Sequence, residues 1–161
     1  MQAKAKTDYR RALAQVATGV TIVTTRAADG APTGLTVNSF NSVSLEPPLV
    51  LWSLALKASS LEAFRACRHY AVNVLAAGQL DAAKTFADSK ADRFAKVAWR
   101  DGPFDMPVID GAVVSLIVAN RSQYLEGDHV IFVGEVERCT HRQGAQPLIF
   151  HGGRYYTELP L

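Results

Sequence analysis

The sequence predicts a mainly β domain, closed as a barrel or packed as a sandwich, with a few peripheral α-helices. Three observations carry this expectation. Roughly seven segments are rich in β-branched residues or alternate in polarity. The helical stretches are few and short. No strand–helix–strand alternation occurs that would build a parallel sheet. Antiparallel strands in this number avoid exposed edges by closing on one another.

Thr7 to Thr18 reads as a helix, with Tyr9, Leu13 and Val16 recurring on one face and Gly19 following its end. Val20 to Thr25 is a β-branched strand, turned by Ala28-Asp29-Gly30. Thr33 to Ser44 reads as a second, continuous β-rich segment. Pro47 and Pro48 make a fixed corner before a strand over Leu49 to Leu54. Ser59 and Glu62 have capping-box spacing and open a short helix that turns Leu61 and Phe64 inward. Tyr70 to Leu75 is a strand and Gly78 to Asp88 a helix. Ser89 to Phe104 reads as a charged, irregular connection. Strands return over Ala112 to Tyr124, Val130 to Arg138, Pro147 to Phe150 and Arg154 to Leu159, with Gly152-Gly153 as a turn.

Composition narrows the function classes. The chain has 161 residues, which suits one domain over 1–161. Its formal charge is +2, with the basic residues scattered, which argues against a nucleic-acid partner. No apolar run approaches the ~20 residues of a spanning helix, so no membrane is expected. The start, Met1 to Lys6, is polar and unlike a secretory signal, which points to the cytoplasm. Cys67 and Cys139 match no zinc spacing and read as two buried free thiols, with a disulfide between them as the alternative. The four histidines form no ligand pair, so no metal is expected.

The informative segment runs from Thr36 to Ser44, a strand crowded with hydroxyl and amide side chains. Thr36, Asn38, Phe40, Ser42 and Ser44 share one parity; Val37, Ser39, Asn41 and Val43 share the other. Neither face is clean. Such a row of short donors suits a ligand rich in acceptors, such as a ribityl chain, a pyrimidine edge or a phosphate, though a wet strand face also explains it. Gly127-Asp128-His129 leads into a strand and sets a histidine at a barrel mouth, where it can contact a flat ligand or make only a local contact. His151-Gly152-Gly153-Arg154-Tyr155-Tyr156 places aromatic side chains beside a tight turn. No nucleophile elbow, dinucleotide-binding glycine motif or P-loop is present.

Taken together, Thr21 to Thr25, the run Gly34 to Val50, Asp92-Arg93-Phe94, Gly127-Asp128-His129 and Tyr155 resemble the short-chain flavin reductase family in content and order. The resemblance spans about Tyr9 to Tyr156. It implies a Greek-key, FMN-binding split barrel forming a homodimer, using NADH or NADPH to reduce FMN or FAD for a partner monooxygenase. It places Thr36, Val37, Asn38, Ser39 and Ser42 along the isoalloxazine and ribityl chain. Ser53, Leu54 and the stretch to Ser59 fall near the ribityl phosphate, Arg93 on the phosphate, Tyr155 at the cofactor, and His129 beside the nicotinamide as the catalytic residue. A split barrel with tightly held flavin reducing a ferric chelate or quinone, and a non-enzymatic flavin- or haem-binding barrel, are the alternatives.

Overall fold

A computed structural model describes residues 3–159; Met1 and Gln2 of the polar N-terminal segment, and the last two residues of the expected domain, lie outside them. The chain opens with α1 (Ala3–Leu13), then β1 (Thr18–Gly19), β2 (Thr21–Arg26) and β3 (Pro32–Val37). Next come β4 (Asn41–Leu45), β5 (Pro48–Ala55), α2 (Leu61–Ala66) and β6 (His69–Val74). After α3 (Leu80–Ala87) and α4 (Arg93–Lys96) lie β7 (Trp99–Asp101) and β8 (Pro107–Ile109). The chain ends with β9 (Val114–Glu126), β10 (His129–His141), β11 (Leu148–His151) and β12 (Arg154–Thr157). The mainly β expectation with peripheral helices is the architecture found.

The main sheet has seven antiparallel strands in the order β3-β2-β6-β9-β10-β5-β4. Its two outermost strands, β3 and β4, are consecutive in the chain. β5 alternates cleanly, with Val50, Trp52 and Leu54 buried and the residues between them half-exposed. Trp52 stacks on Phe132, its direct partner on β10, at 4.8 Å and 15°. Phe64 of α2 and Tyr70 of β6 meet the same indole edge-on, at 4.9 and 5.8 Å. Four elements are thereby tied to one ring, and aromatic pairs of this geometry add about 0.5–1.5 kcal/mol each beyond burial. A second cluster, built on Ile22, Leu75, Phe86 and Ile109, seats α3 on the other side of β2.

Several expectations need correction. The first helix lies over 3–13, not 7–18, because Thr18 and Gly19 are drawn into pairing with Phe150 and Ile149. The expected apolar row is exposed: Tyr9 and Leu13 on the helix and Val16 in the turn beyond it are 56%, 52% and 62% exposed. The segment Thr33 to Ser44 breaks at residues 38–40, where the chain leaves one edge of the sheet for the other. Ser59 and Glu62 form no capping box; Ser60 takes the cap position of α2, and no side chain makes the capping bond. The 89–104 connection holds α4 and β7, and β8 was missed because three residues are too few to show periodicity. Cys67 is partly buried and desolvation raises its thiol pKa, but Cys139 is exposed; both are free. None of the described helices is long and apolar enough to cross a membrane.

Gly134 on β10 shows how tightly the aromatic cluster closes. A Cβ there would overlap Tyr70 Oη and Val118 Cγ1 and lie 2.9 Å from the Ala119 carbonyl. Gly134→Ala is expected to cost about 1–3 kcal/mol through overpacking, read as a lower urea midpoint at unchanged slope. An unchanged midpoint would show that the cluster yields freely.

Candidate functional site

Alternation along β5 sets the site. With Trp52 and Leu54 turned into the core, Ser53 and Ala55 must face outward. Their direct partners on β10 are Ile131 and His129, and opposed residues of an antiparallel pair share a face. The 38–40 break is moored onto this surface: Ser39 Oγ accepts from the Ser53 N–H at 3.0 Å and lies 3.2 Å from the Ser53 carbonyl as donor. The hydroxyl of Ser39 therefore holds backbone to backbone.

Beyond Ala55 the chain turns into α2, and a cavity of about 360 Å³ opens there. Lys57, Ser59 and Ser60 line one side, Ser89 and Arg93 the other. Two cations and three hydroxyls converge, and no acidic side chain lines the cavity among the described residues. Arg93 is held by donating from Nε to the Asp88 carbonyl at 3.1 Å and from Nη1 to the Gly34 carbonyl. Desolvation lowers its pKa and nearby Asp88 opposes that shift; an arginine remains charged regardless. This donor set fits an anionic group such as a phosphate.

A smaller cavity, about 160 Å³, gathers Thr36, Asn38, Phe150 and Tyr155. Tyr155 leans on Phe150 at 5.1 Å, while the Thr36 hydroxyl is committed to the Ala83 carbonyl of α3 at 2.6 Å. Asn38 is exposed and its amide has no partner among the described residues. At the start of β10, His129 Nδ1 lies 2.7 Å from Asp128 Oδ1. That hydrogen bond, then the charge of the ring, hold the Asp128 carboxyl below the usual carboxylate range.

The residues singled out by sequence thus divide. Ser59 and Arg93 share one cavity; Thr36, Asn38 and Tyr155 share another; Ser39 and Ser53 join each other. Val37 and Leu54 are core side chains, 6% and 2% exposed, and only their backbones reach the site face. Ser42 sits exposed on β4, its N–H capped by Asn41 Oδ1, and lines neither cavity. Lys57, Ser60 and Ser89 were not singled out. The first two stand within or beside the 53–59 stretch and were within reach; Ser89 follows α3 with no local signal.

A mainly β barrel with a phosphate-fitting cavity beside a donor-rich strand defines a nucleotide-binding barrel rather than a strand–helix nucleotide fold. Residues 13–158 match the family described as flavin reductase like domain, and the chain belongs to that family. A solved Streptomyces globisporus C-1027 NADH:FAD oxidoreductase, SgcE6, in complex with NAD and FAD fragments, superposes with a TM-score of 0.92 at 40% identity, covering 99% of this chain and 96% of that one. FMN reductase (NADH) SmoA of Agrobacterium fabrum is 42% identical over 148 residues, 92% of this chain and 83% of the relative. The reductase component of the flavin-dependent trigonelline monooxygenase of Acinetobacter baylyi is 39% identical over 150 residues, 93% of this chain. The chain spans about half the length of two of the curated relatives it matches, 48% and 47%.

Ser39→Ala tests the mooring of the 38–40 break. It leaves the Ser53 N–H without its acceptor, a loss of about 1–3 kcal/mol, expected as a lower melting temperature and faster amide exchange at Ser53. Wild-type exchange there would contradict the mooring.

Proposed function

We propose that this chain is an NAD(P)H-dependent flavin reductase, passing hydride from NADH or NADPH to FMN or FAD. The observation that carries the reading is the cavity between Lys57 and Arg93, reached from the same outer face as Ala55 and His129. Family membership supports it, as do relatives named for NADH-linked FMN and FAD reduction. A relative named as the reductase component of a monooxygenase supports delivery of reduced flavin to a partner oxygenase. In this reading residues 1–161 act as one domain in the cytoplasm. The outward row of Tyr9 and Leu13 on α1 and Val16 in the turn after it is covered by a second copy in a homodimer.

Hydride transfer itself is chemistry that the two ligands supply. The protein's share is position and charge. Lys57 and Arg93 hold the flavin phosphate, and the hydroxyls of Ser59 and Ser60 complete its hydrogen bonds. Asn38 and the backbone of Val37 to Ser39 meet the pyrimidine edge and ribityl chain, where donors stabilise developing negative charge. The Ser39–Ser53 clamp keeps that edge in place. His129, fixed by Asp128 through Nδ1, keeps Nε2 free to orient the nicotinamide.

Steady-state oxidation of NADH and NADPH, with FMN, FAD or no flavin added, tests the proposal. Turnover that requires added flavin is the expected result; no turnover with any pair overturns it. His129→Ala is expected to raise the nicotinamide KM about tenfold, the scale of one lost hydrogen bond, with flavin affinity kept. An unchanged KM removes His129 from the site.

A further inference from the structure

The β7–β8 hairpin lies across the outer face of β9, where Met106 and Val108 pack on Ile117. Two cavities, about 320 and 300 Å³, open along the seam between hairpin and sheet and share Arg100, Ser115 and Thr140. Val108 and Ile117 wall the first, Ile109 and Val113 the second, and all four are buried. Thr140 is the direct partner of Ser115 on β10. At roughly 3.3 Å per residue, Ser115 stands about 35 Å along β9 from Glu126, the partner of His129. The seam shares no lining residue with the cavity beside Lys57.

Charge along this seam is unbalanced. The neighbouring carboxylates are already engaged: Asp110 by Arg100, Asp101 by Arg26 and Glu137 by His69. Arg138 lines the first cavity and Arg142 the second, and neither meets a carboxylate among the described residues. Each donates one N–H to a backbone carbonyl, Arg138 Nη1 to Glu137 at 2.8 Å and Arg142 Nη2 to Gly111 at 2.9 Å, which leaves four of the five for a ligand. The Arg142 N–H continues the ladder to the Val113 carbonyl, so the two arginines flank Thr140 on its own parity. The Thr140 hydroxyl has no partner among the described residues. Ser115 Oγ donates to Asn73 Oδ1 at 3.1 Å and is left as an acceptor.

We infer that this seam is a second binding site, which takes a small organic anion. Its carboxylate or phosphate lies at Thr140 between Arg138 and Arg142, and its apolar body lies along the buried walls. Planar guanidinium groups match either oxyanion with paired hydrogen bonds. A bare inorganic ion would use the arginines and leave the apolar walls wet, whereas an anion with an apolar body uses both. The inference does not rest on the flavin reading, and a ligand in the seam leaves the flavin cavity open.

Backbone amide shifts of the full chain are followed while benzoate, phenyl phosphate, benzyl alcohol and inorganic phosphate are titrated in turn. Saturable shifts at Ser115 and Thr140 are expected with benzoate or phenyl phosphate, and the tighter of the two names the head group. Benzyl alcohol keeps the apolar body without the charge, and inorganic phosphate keeps the charge without the body. Both are expected to bind about tenfold more weakly. The double variant Arg138→Gln with Arg142→Gln is expected to weaken the aromatic anion by about tenfold as well. No saturable shift, equal binding of benzyl alcohol or inorganic phosphate, or a double variant that binds as the wild type does, overturns the inference. Shifts confined to Ser59 and Arg93 place the anion in the cavity beside Lys57 and overturn it too. The wild-type titrations decide the matter even where the double variant fails to fold.

Discussion

The packing of Trp52 between Phe132, Phe64 and Tyr70 is the constraint on which the site depends. The stack on Phe132 locks the register of β5 against β10. A slip of one residue would turn Trp52 to solvent and Ser53 into the core, at a cost of several kcal/mol in lost burial. The edge contact with Phe64 seats α2 at the end of β5, so the connection through Lys57, Ser59 and Ser60 has a fixed start and a fixed finish. The cluster also encloses polar atoms: Trp52 Nε1 and Tyr70 Oη are buried without a hydrogen-bond partner among the described residues, and burial raises the Tyr70 pKa well above the phenol value. Its cohesion comes from aromatic area and shape.

The outward residues inherit this order. Ser53 faces out because Trp52 faces in, and it then receives Ser39, which fixes the break that carries Asn38. Ala55 faces out beside His129 for the same reason. On the other flank, Phe86 of α3 is buried in the second cluster and meets Phe94 of α4 edge-on at 5.0 Å. That contact, with the bond from Arg93 to the Gly34 carbonyl, brings a guanidinium from α4 to β3. Two apolar clusters thus place the two cations that face each other across the cavity.

Much of this was legible in the residues, and the remainder depends on distance in space. Alternation over 49–54 and the β-branched run over 20–25 are local signals; the first strand is extended by one residue at each end, and the second is displaced by one residue. The break at 38–40 contains no glycine or proline; it forms because the chain crosses from one edge of the sheet to the other, which only the strand order shows. The row Tyr9, Leu13 and Val16 has helical spacing, yet spacing says nothing of which neighbour, if any, covers it. The hydroxyls of Thr36 and Ser39 read locally as ligand donors, but their partners are the Ala83 carbonyl and the Ser53 backbone, which lie far along the chain. Lys57 has no local signal of its own, since its neighbours Leu54 to Leu56 are apolar; the turn after β5 is what brings it to Arg93's cavity.

The proposed reading makes one demand on a bound flavin: its phosphate is to lie between Lys57 and Arg93, and its ring over the face set by Ser39, Ser53 and Ala55. A crystal structure of the chain with flavin bound tests this most directly. The predicted result is phosphate oxygens within about 3 Å of Lys57 Nζ and the Arg93 guanidinium, with the pyrimidine edge against residues 37–39. A flavin whose phosphate sits elsewhere, with that cavity filled by solvent alone, contradicts it.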